Sequence, residues 1–149
     1  MRARELTVFV VDDDASVRDS LALMLSLSGY KSALFADAEA FLAAWQREWA
    51  GCVLADLRLP GKSGIELQAV LRAKGSRLPF VIITAHGDVP TARAAFRAEA
   101  VDFLEKPFEH TQLRAAIESA FSREQLRLRR DAEAARLSSL TPRERDVLE

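Results

Sequence analysis

The sequence has little of several features that mark other classes of protein. Cys52 is the only cysteine among 149 residues, so no disulfide can form within the chain, and its apolar neighbours favour a buried thiol. There is no asparagine, hence no glycosylation sequon, and the net charge of −1 gives the chain as a whole no basis for binding nucleic acid. No apolar run approaches the ~18 residues of a membrane span, and three aspartates interrupt the N-terminal run, unlike a signal peptide. These absences predict a cytoplasmic protein without membrane contact.

Four short apolar runs are each followed by polar residues suited to phosphoryl chemistry. Thr7–Val11 precedes Asp12, Asp13 and Asp14; 52–55 precedes Asp56; 80–83 precedes Thr84; and 101–104 precedes Glu105, Lys106 and Pro107. Runs of this length, rich in Val and Ile and separated by helix-like stretches, are typical of buried parallel strands. With a further short strand at 32–35, the sequence predicts an α/β fold: a doubly wound five-stranded parallel sheet flanked by five helices.

The spacing of apolar residues predicts where the helices lie. They are expected from after Asp14 to Gly29, from Ala38 to about 48, from Ile65 to Gly75, from 89 to about 98, and around 113–121. The last helix can continue through 122–137, which contain no Gly or Pro. Phe121, Leu128 and Ala135 keep a seven-residue spacing, so a coiled-coil dimer is an alternative. Glu124 and Asp131 fall where its seam needs apolar side chains, so a solvated helical linker is the main expectation.

The predicted organisation has three parts: a domain over 1–122, a helical linker over 123–139, and the start of a second domain over 140–149. Thr141, Pro142 and Glu144 form a capping-box pattern at the start of a helix that the 149-residue chain is too short to complete.

The aspartates after the first and third strands predict a metal site. In open parallel sheets, ligands bind outside the carboxyl ends of the strands, so Asp12, Asp13 and Asp56 should meet at one edge. Three clustered carboxylates repel one another unless a cation lies among them, and Mg²⁺ suits one or two direct carboxylates and several waters. The alternative is that the aspartates only cap the next helix. Asp14 is expected to do this, and Asp13 to bind metal.

Asp56 is the candidate nucleophile, because a carboxylate that attacks phosphorus forms an acyl phosphate. Phosphoryl transfer requires mainly positioning and neutralisation of the equatorial oxygens. Mg²⁺ and the ammonium of Lys106 would supply the positive charge, and the hydroxyl of Thr84 a hydrogen bond.

Residues 7–121 resemble the receiver domain of bacterial two-component response regulators. The motifs that carry the resemblance are VVDDD at 10–14, DLRLPG at 56–61, ITA at 83–85 and EKPF at 105–108. Residues 84–90 most resemble the nitrogen-fixation regulator branch, and 140–145 resemble the start of a LuxR-type helix-turn-helix output domain. The resemblance implies a sheet with strand order 2-1-3-4-5.

The resemblance also implies roles for individual residues. Asp56 would accept a phosphoryl group from a sensor histidine kinase. Asp13, Asp56 and the Arg58 carbonyl would bind Mg²⁺, with Asp12 acting through water. The phosphoryl-binding switch would be formed by Thr84, Ala85, Phe103 and Lys106, and Pro107 would follow a cis peptide bond. Separately, we hypothesise that Arg58 and His86 tune the lifetime of the acyl phosphate, because they flank the expected path of an attacking water. Phe103 stands where other regulators carry Tyr, so it has no hydroxyl to bond outside. Phosphorylation would promote a homodimer through the fourth helix and fifth strand, and DNA would be bound only by a C-terminal domain that this chain lacks.

Two other functions remain as alternatives to this non-enzymatic switch. A Mg²⁺-dependent aspartyl-phosphate phosphatase would place an acidic residue two positions after the nucleophile, where Arg58 stands and cannot donate a proton at neutral pH. A flavin- or nucleotide-binding module would need a Gly-rich or hydroxyl-rich loop after the first strand, and an acidic triplet there repels phosphate unless a metal intervenes.

Overall fold

The computed structural model describes residues 5–85 and 102–138, which form a five-stranded parallel sheet with helices on both faces. The strands are β1 (Thr7–Val11), β2 (Lys31–Phe35), β3 (Gly51–Asp56), β4 (Phe80–Thr84) and β5 (Asp102–Glu105), and the helices are α1 (Ala15–Leu27), α2 (Ala38–Ala44), α3 (Gly64–Ala73) and a C-terminal helix (His110–Ser138). The strand order β2-β1-β3-β4-β5 confirms the predicted doubly wound fold. The helix predicted over 89–98 lies outside the described residues.

The core has two halves, one on each face of the sheet, because successive side chains of a strand point to opposite faces. On one face Val8, Val10, Cys52, Leu54, Val81 and Ile83 pack with Leu21 and Leu25 of α1 and with Leu113 and Ile117 of the C-terminal helix. On the other face Phe9, Val11, Val53, Ala55, Phe80 and Ile82 pack with α2 and α3. Cys52 is fully buried, which confirms its predicted role, and burial raises the pKa of its thiol far above the ordinary range.

Local signals set most of the helix boundaries. Asp14 caps α1 by accepting hydrogen bonds from the backbone N–H groups of Ser16 and Val17, as predicted. Ser63 and Glu66 form a reciprocal capping box at the start of α3. After α1, Gly29 adopts φ +82°, a left-handed conformation that ends the helix at little steric cost.

The prediction that α2 extends to about residue 48 is wrong, because the helix ends at Ala44. Trp45 leaves the helical conformation, with φ −54° and ψ 137°. The chain then turns so that Trp49 stacks on Phe9, with ring centroids 4.5 Å apart and planes 8° from parallel. Phe35 and Phe41 complete this aromatic cluster. Aromatic packing against β1 therefore outweighs continuation of the helix.

The C-terminal helix continues without interruption for 29 residues, through the segment predicted as a linker. Side-chain hydrogen bonds join it to the end of α1, from Tyr30 to Glu118 and between Ser28 and His110. Its sequence pattern indicates a solvated surface from 123 onward, but Glu124 is fully buried. Among the described helices none is both long enough and apolar enough to cross a bilayer.

Candidate functional site

The register of the central strands brings the acidic residues together at the carboxyl edge of the sheet. Val11 of β1 pairs with Ala55 of β3, so the residues that follow them, Asp12 and Asp56, lie side by side. Carboxylate oxygens of Asp12, Asp13 and Asp56 all lie within 4.8 Å of one another. This cluster is the acidic site that the strand ends predict.

Asp12 is the buried member of the acidic site, with only 1% of its surface exposed. Its Oδ1 accepts a hydrogen bond of 2.9 Å from the backbone N–H of Asp14, whereas its buried Oδ2 has no hydrogen-bond partner among the described residues. Burial raises the pKa of this carboxyl, the Asp14 hydrogen bond and Lys106 lower it, and repulsion from Asp56 and Asp13 raises it further. A positive charge placed near Asp12 would therefore stabilise its ionised form.

Arg18 of α1 supports the turn that carries Asp12 and Asp13. Its guanidinium Nη1 donates a hydrogen bond of 2.6 Å to the backbone carbonyl of Asp12, and Asp12 in turn donates its N–H to the Phe35 carbonyl at 3.1 Å. Asp13 is exposed at the mouth of the site. The backbone of the acidic turn is therefore held at Asp12 from both sides.

Asp56 ends β3 with its side chain 15% exposed and both carboxylate oxygens in contact with donors. The backbone N–H of Arg58 donates to Oδ1 at 3.0 Å, and Nζ of Lys106 lies 3.3 Å from Oδ2. Lys106 is placed by the end of β5, where its N–H donates to the Thr84 carbonyl at 2.8 Å. The structure thus joins the candidate nucleophile to the candidate cation across 50 residues of sequence.

The remaining predicted residues surround this pair. Thr84 is fully buried at the end of β4, and its hydroxyl donates to the Ala85 carbonyl at 3.3 Å rather than to Asp56. Phe103 is half-buried against the core on the face of α2 and α3. The Lys106–Pro107 peptide bond is cis. Arg58 is exposed beside Asp56, and His86 lies outside the described residues.

The donor set fits a divalent cation that prefers oxygen ligands. Asp12, Asp13 and Asp56 offer carboxylate oxygens at one edge, and the buried Oδ2 of Asp12 lacks a partner within the described part of the chain. Mg²⁺ binds one or two carboxylates directly and keeps several waters, through which a nearby carboxylate can also be satisfied. The arrangement therefore suits Mg²⁺ beside the Asp56 side chain.

Sequence reasoning missed two residues that shape the site. Arg18 lies six positions after Asp12 on a helix, where an arginine looks like an ordinary surface residue. Gly64 is buried at the start of α3, and a Cβ there would lie 2.6 Å from the backbone carbonyl oxygen of Asp56. The motif at 56–61 indicated that this loop belongs to the site, but only the folded chain shows that α3 approaches the Asp56 backbone so closely.

Comparisons with known proteins agree with this geometry. The model of the response regulator receiver domain matches residues 8–118. The transcriptional regulatory protein FixJ of Bradyrhizobium diazoefficiens is 48% identical over 146 residues, which cover 95% of this chain and 71% of that protein.

Solved structures give the same result. Full-length FixJ from B. japonicum has a TM-score of 0.78 at 46% identity, over 97% of this chain and 73% of that one. The response regulator StyR, solved at low resolution, has a TM-score of 0.82 at 44% identity, over 97% of this chain and 75% of that one. The chain therefore belongs to the family of response regulator receiver domains, the switches of two-component signalling, and it is strongly similar to FixJ regulators.

Proposed function

We propose that Asp56 is the phosphoacceptor of this receiver domain and takes its phosphoryl group from a histidine of a sensor kinase. The observation that carries the proposal is the position of Asp56, in contact with Lys106 on one side and within 4.8 Å of two further carboxylates on the other. A carboxylate oxygen of Asp56 attacks phosphorus, the P–N bond of the donor breaks, and its electron pair returns to the donor imidazole. The product is an acyl phosphate on Asp56.

Asp13, Asp56 and the backbone carbonyl of Arg58 would hold Mg²⁺, with Asp12 acting through water. The unpartnered buried oxygen of Asp12 and the crowding of three carboxylates support this assignment. Bound Mg²⁺ would neutralise part of the negative charge on the transferred phosphoryl group. Arg18 keeps the acidic turn in place through its bond to the Asp12 carbonyl.

Lys106 and Thr84 would bind the phosphoryl oxygens after transfer. The ammonium of Lys106 already lies 3.3 Å from Asp56 Oδ2, close enough to contact oxygens added to that carboxylate. The hydroxyl of Thr84 now bonds to the Ala85 carbonyl at a long 3.3 Å, so a phosphoryl oxygen is a better acceptor for it. Rotation of this hydroxyl, with inward packing of Phe103, forms the switch.

Phosphorylation shifts the population of this switch rather than creating a new fold. The active state would form a homodimer through the segment after β4 and through β5, and would act on transcription through a C-terminal DNA-binding domain of the LuxR type. Within the chain, 1–122 would form the receiver, 123–139 the helical linker, and 140–149 the start of the output domain. Arg58 and His86 would set the lifetime of the acyl phosphate.

The phosphoacceptor assignment is tested by incubating the protein with acetyl phosphate and Mg²⁺ and measuring its intact mass. The wild type is expected to gain the mass of one phosphoryl group, and chelation of Mg²⁺ to prevent the gain. Asp56→Asn should gain nothing, whereas Asp19→Asn, an exposed aspartate on α1, should behave as the wild type. The same gain in Asp56→Asn would contradict the assignment.

A turnover assay with a generic phosphomonoester separates the switch from an aspartyl-phosphate phosphatase. The position two residues after Asp56 is Arg58, an exposed arginine that cannot act as a general acid. We therefore expect no catalytic release of phosphate above that of Asp56→Asn. Multiple turnovers that depend on Asp56 would favour the phosphatase.

Dimerisation is tested with Mg²⁺ and beryllofluoride, which imitates the phosphoryl group on a carboxylate. The molar mass in solution, measured by light scattering, is expected to double on addition of both. A protein that binds beryllofluoride yet remains a monomer would contradict the proposed interface.

A further inference from the structure

We propose that Glu124 and Arg127 form an anchor that fixes the C-terminal helix to the amino end of β3, so that the following helical arm, 125–138, moves with the receiver as one rigid body. The family match ends at residue 118, before either anchor residue. The anchor lies at the opposite edge of the sheet from Asp56 and takes no part in the chemistry proposed there.

The anchor is built around a carboxylate that is wholly removed from solvent. Glu124 has 0% exposure, and its Oε2 accepts a hydrogen bond of 2.9 Å from the backbone N–H of Gly51, the first residue of β3. Arg127, one helical turn later, donates to Glu124 through Nε at 2.6 Å and through Nη2 at 2.9 Å. Three donors therefore satisfy one buried carboxylate.

A second carboxylate extends the network along the helix. Arg127 Nη1 donates to Asp131 Oδ2 at 2.9 Å, and Asp131 is 64% exposed. The bonds to Glu124 raise the pKa of Arg127, with those to Asp131 contributing less. The network thus passes from a buried backbone N–H to the solvent-exposed part of the arm.

The strand side of the anchor accepts no residue other than glycine at position 51. Gly51 has φ +143°, and a Cβ there would lie 1.8 Å from the Thr7 carbonyl oxygen. The buried N–H of Gly51 requires an acceptor, because an unpaired buried donor costs about as much as a lost hydrogen bond. Glu124 is the side chain that supplies this acceptor, which ties the helix to β3.

The geometry of the helix explains why the anchor matters for the arm. At 1.5 Å per residue, His110 to Glu124 spans about 21 Å, roughly the length of the sheet along its strands. The helix runs from the edge that carries Asp56 to the edge that carries Gly51, and residues beyond Glu124 extend past the sheet by about 21 Å up to Ser138. An isolated helix of that length is only marginally stable in water, so the direction of the arm depends on its contacts with the body of the domain.

Desolvation offsets much of the attraction within an ion pair whose carboxylate is buried, so we assign this pair a role in orientation and not in stability. The observed pair fixes both the register and the rotation of the helix at the point where it leaves the sheet. Any module joined to the arm would therefore keep a defined orientation relative to β3.

Amide hydrogen exchange on the full chain tests the anchor. Glu124→Gln keeps the shape of the side chain but removes the charge that holds Arg127. Exchange of the amides over 121–131 is expected to accelerate about tenfold or more, with exchange in β1 and β4 unchanged. Glu133→Gln, an exposed glutamate 71% accessible on the same helix, is the matched control and should leave exchange unaltered.

Arg127→Gln gives an independent measure, because it leaves the Glu124–Gly51 bond in place, and it serves if Glu124→Gln does not fold. The same local acceleration over 121–131 is expected. Unchanged exchange in that segment, or acceleration by the same factor in every strand and helix, would overturn the proposal. The second result would mean that the pair stabilises the whole domain and not the arm.

Discussion

At the scale of single residues, Asp12 carries the main electrostatic cost of the acidic site. Burial and the neighbouring carboxylates raise its pKa, so ionising it is harder in the folded protein than in the unfolded chain. The neutral form of Asp12 therefore makes a favourable contribution to the free energy of unfolding. This contribution is fully present below the unfolded pKa of 3.8 and is lost as pH rises through the folded pKa. At neutral pH, the metal-free protein is therefore destabilised at this position.

Asp12→Asn is expected to raise the melting temperature of the metal-free protein at neutral pH. The amide keeps an acceptor for the Asp14 N–H and offers donors to the neighbouring carboxylates. Each kcal/mol gained corresponds to about 2–4 °C for a domain of this size. Calorimetry in the presence of a chelator measures the change, with Asp19→Asn as control. A melting temperature at or below that of the wild type would contradict the argument.

Lys106→Met is expected to slow phosphorylation by acetyl phosphate about tenfold, since a hydrogen bond to a charged group contributes about 1.5–3 kcal/mol and 1.4 kcal/mol is a factor of ten in rate. The lower end applies because Lys106 is 35% exposed. The rate of mass gain is the measurement, and Lys31→Met, at an exposed site on β2, is the control. An unchanged rate would show that Lys106 does not stabilise the transferred group.

At the scale of elements, the start of α3 is packed directly against the end of β3. Gly64 donates its N–H to the Leu57 carbonyl at 3.0 Å, and its α-carbon faces the Asp56 carbonyl. Ser63 caps the same helix without contacting Asp56 in the described hydrogen bonds. A substitution at Gly64 should therefore affect the position of Asp56, whereas a substitution at Ser63 should affect only the stability of the helix.

Gly64→Ala is expected to lower both stability and the rate of phosphorylation, because the added methyl displaces the Asp56 backbone. Ser63→Ala should cost about 1 kcal/mol of stability through the lost cap while leaving the rate unchanged. Urea unfolding and the rate of mass gain together distinguish the two variants. If both changed the rate equally, the close approach of Gly64 would not be what positions Asp56.

Element boundaries show where sequence reasoning succeeds. The strands were predictable because parallel strands are buried on both faces and therefore appear as short apolar runs. Because the carboxyl ends of such strands lie at the same edge of the sheet, the sequence also predicted that Asp13, Asp56 and Lys106 lie close together. The end of α2 could not be predicted in this way, because it depends on the stacking of Trp49 on Phe9, two residues that are distant in sequence.

Individual contacts of the site and the linker could not be predicted from the sequence either, because they also join residues that meet only in the folded chain. Neither the unpartnered Oδ2 of Asp12 nor the direction of the Thr84 hydroxyl has a signature in the pattern. Glu124 lies at helical spacing from the buried Leu113, Ala116, Ile117 and Ala120, but a charged side chain at that position indicates a solvated surface. Its partner, the N–H of Gly51, is 73 residues away and is known only once the chain is folded.

At the scale of the whole molecule, metal binding at one edge of the sheet should stabilise the entire fold. A ligand that binds only the native state adds about 2.7 kcal/mol at a concentration of 100 times its Kd. Mg²⁺ is therefore expected to raise the melting temperature of the wild type by several degrees, and Asp13→Asn to weaken this rise at equal Mg²⁺. A melting temperature independent of Mg²⁺ would contradict the metal assignment.

The C-terminal helix starts near the acidic edge and leaves the molecule from the opposite one. A protein that engages Asp56 and a module carried on the arm would consequently meet the domain at opposite ends of β3, about 17 Å apart along the strand.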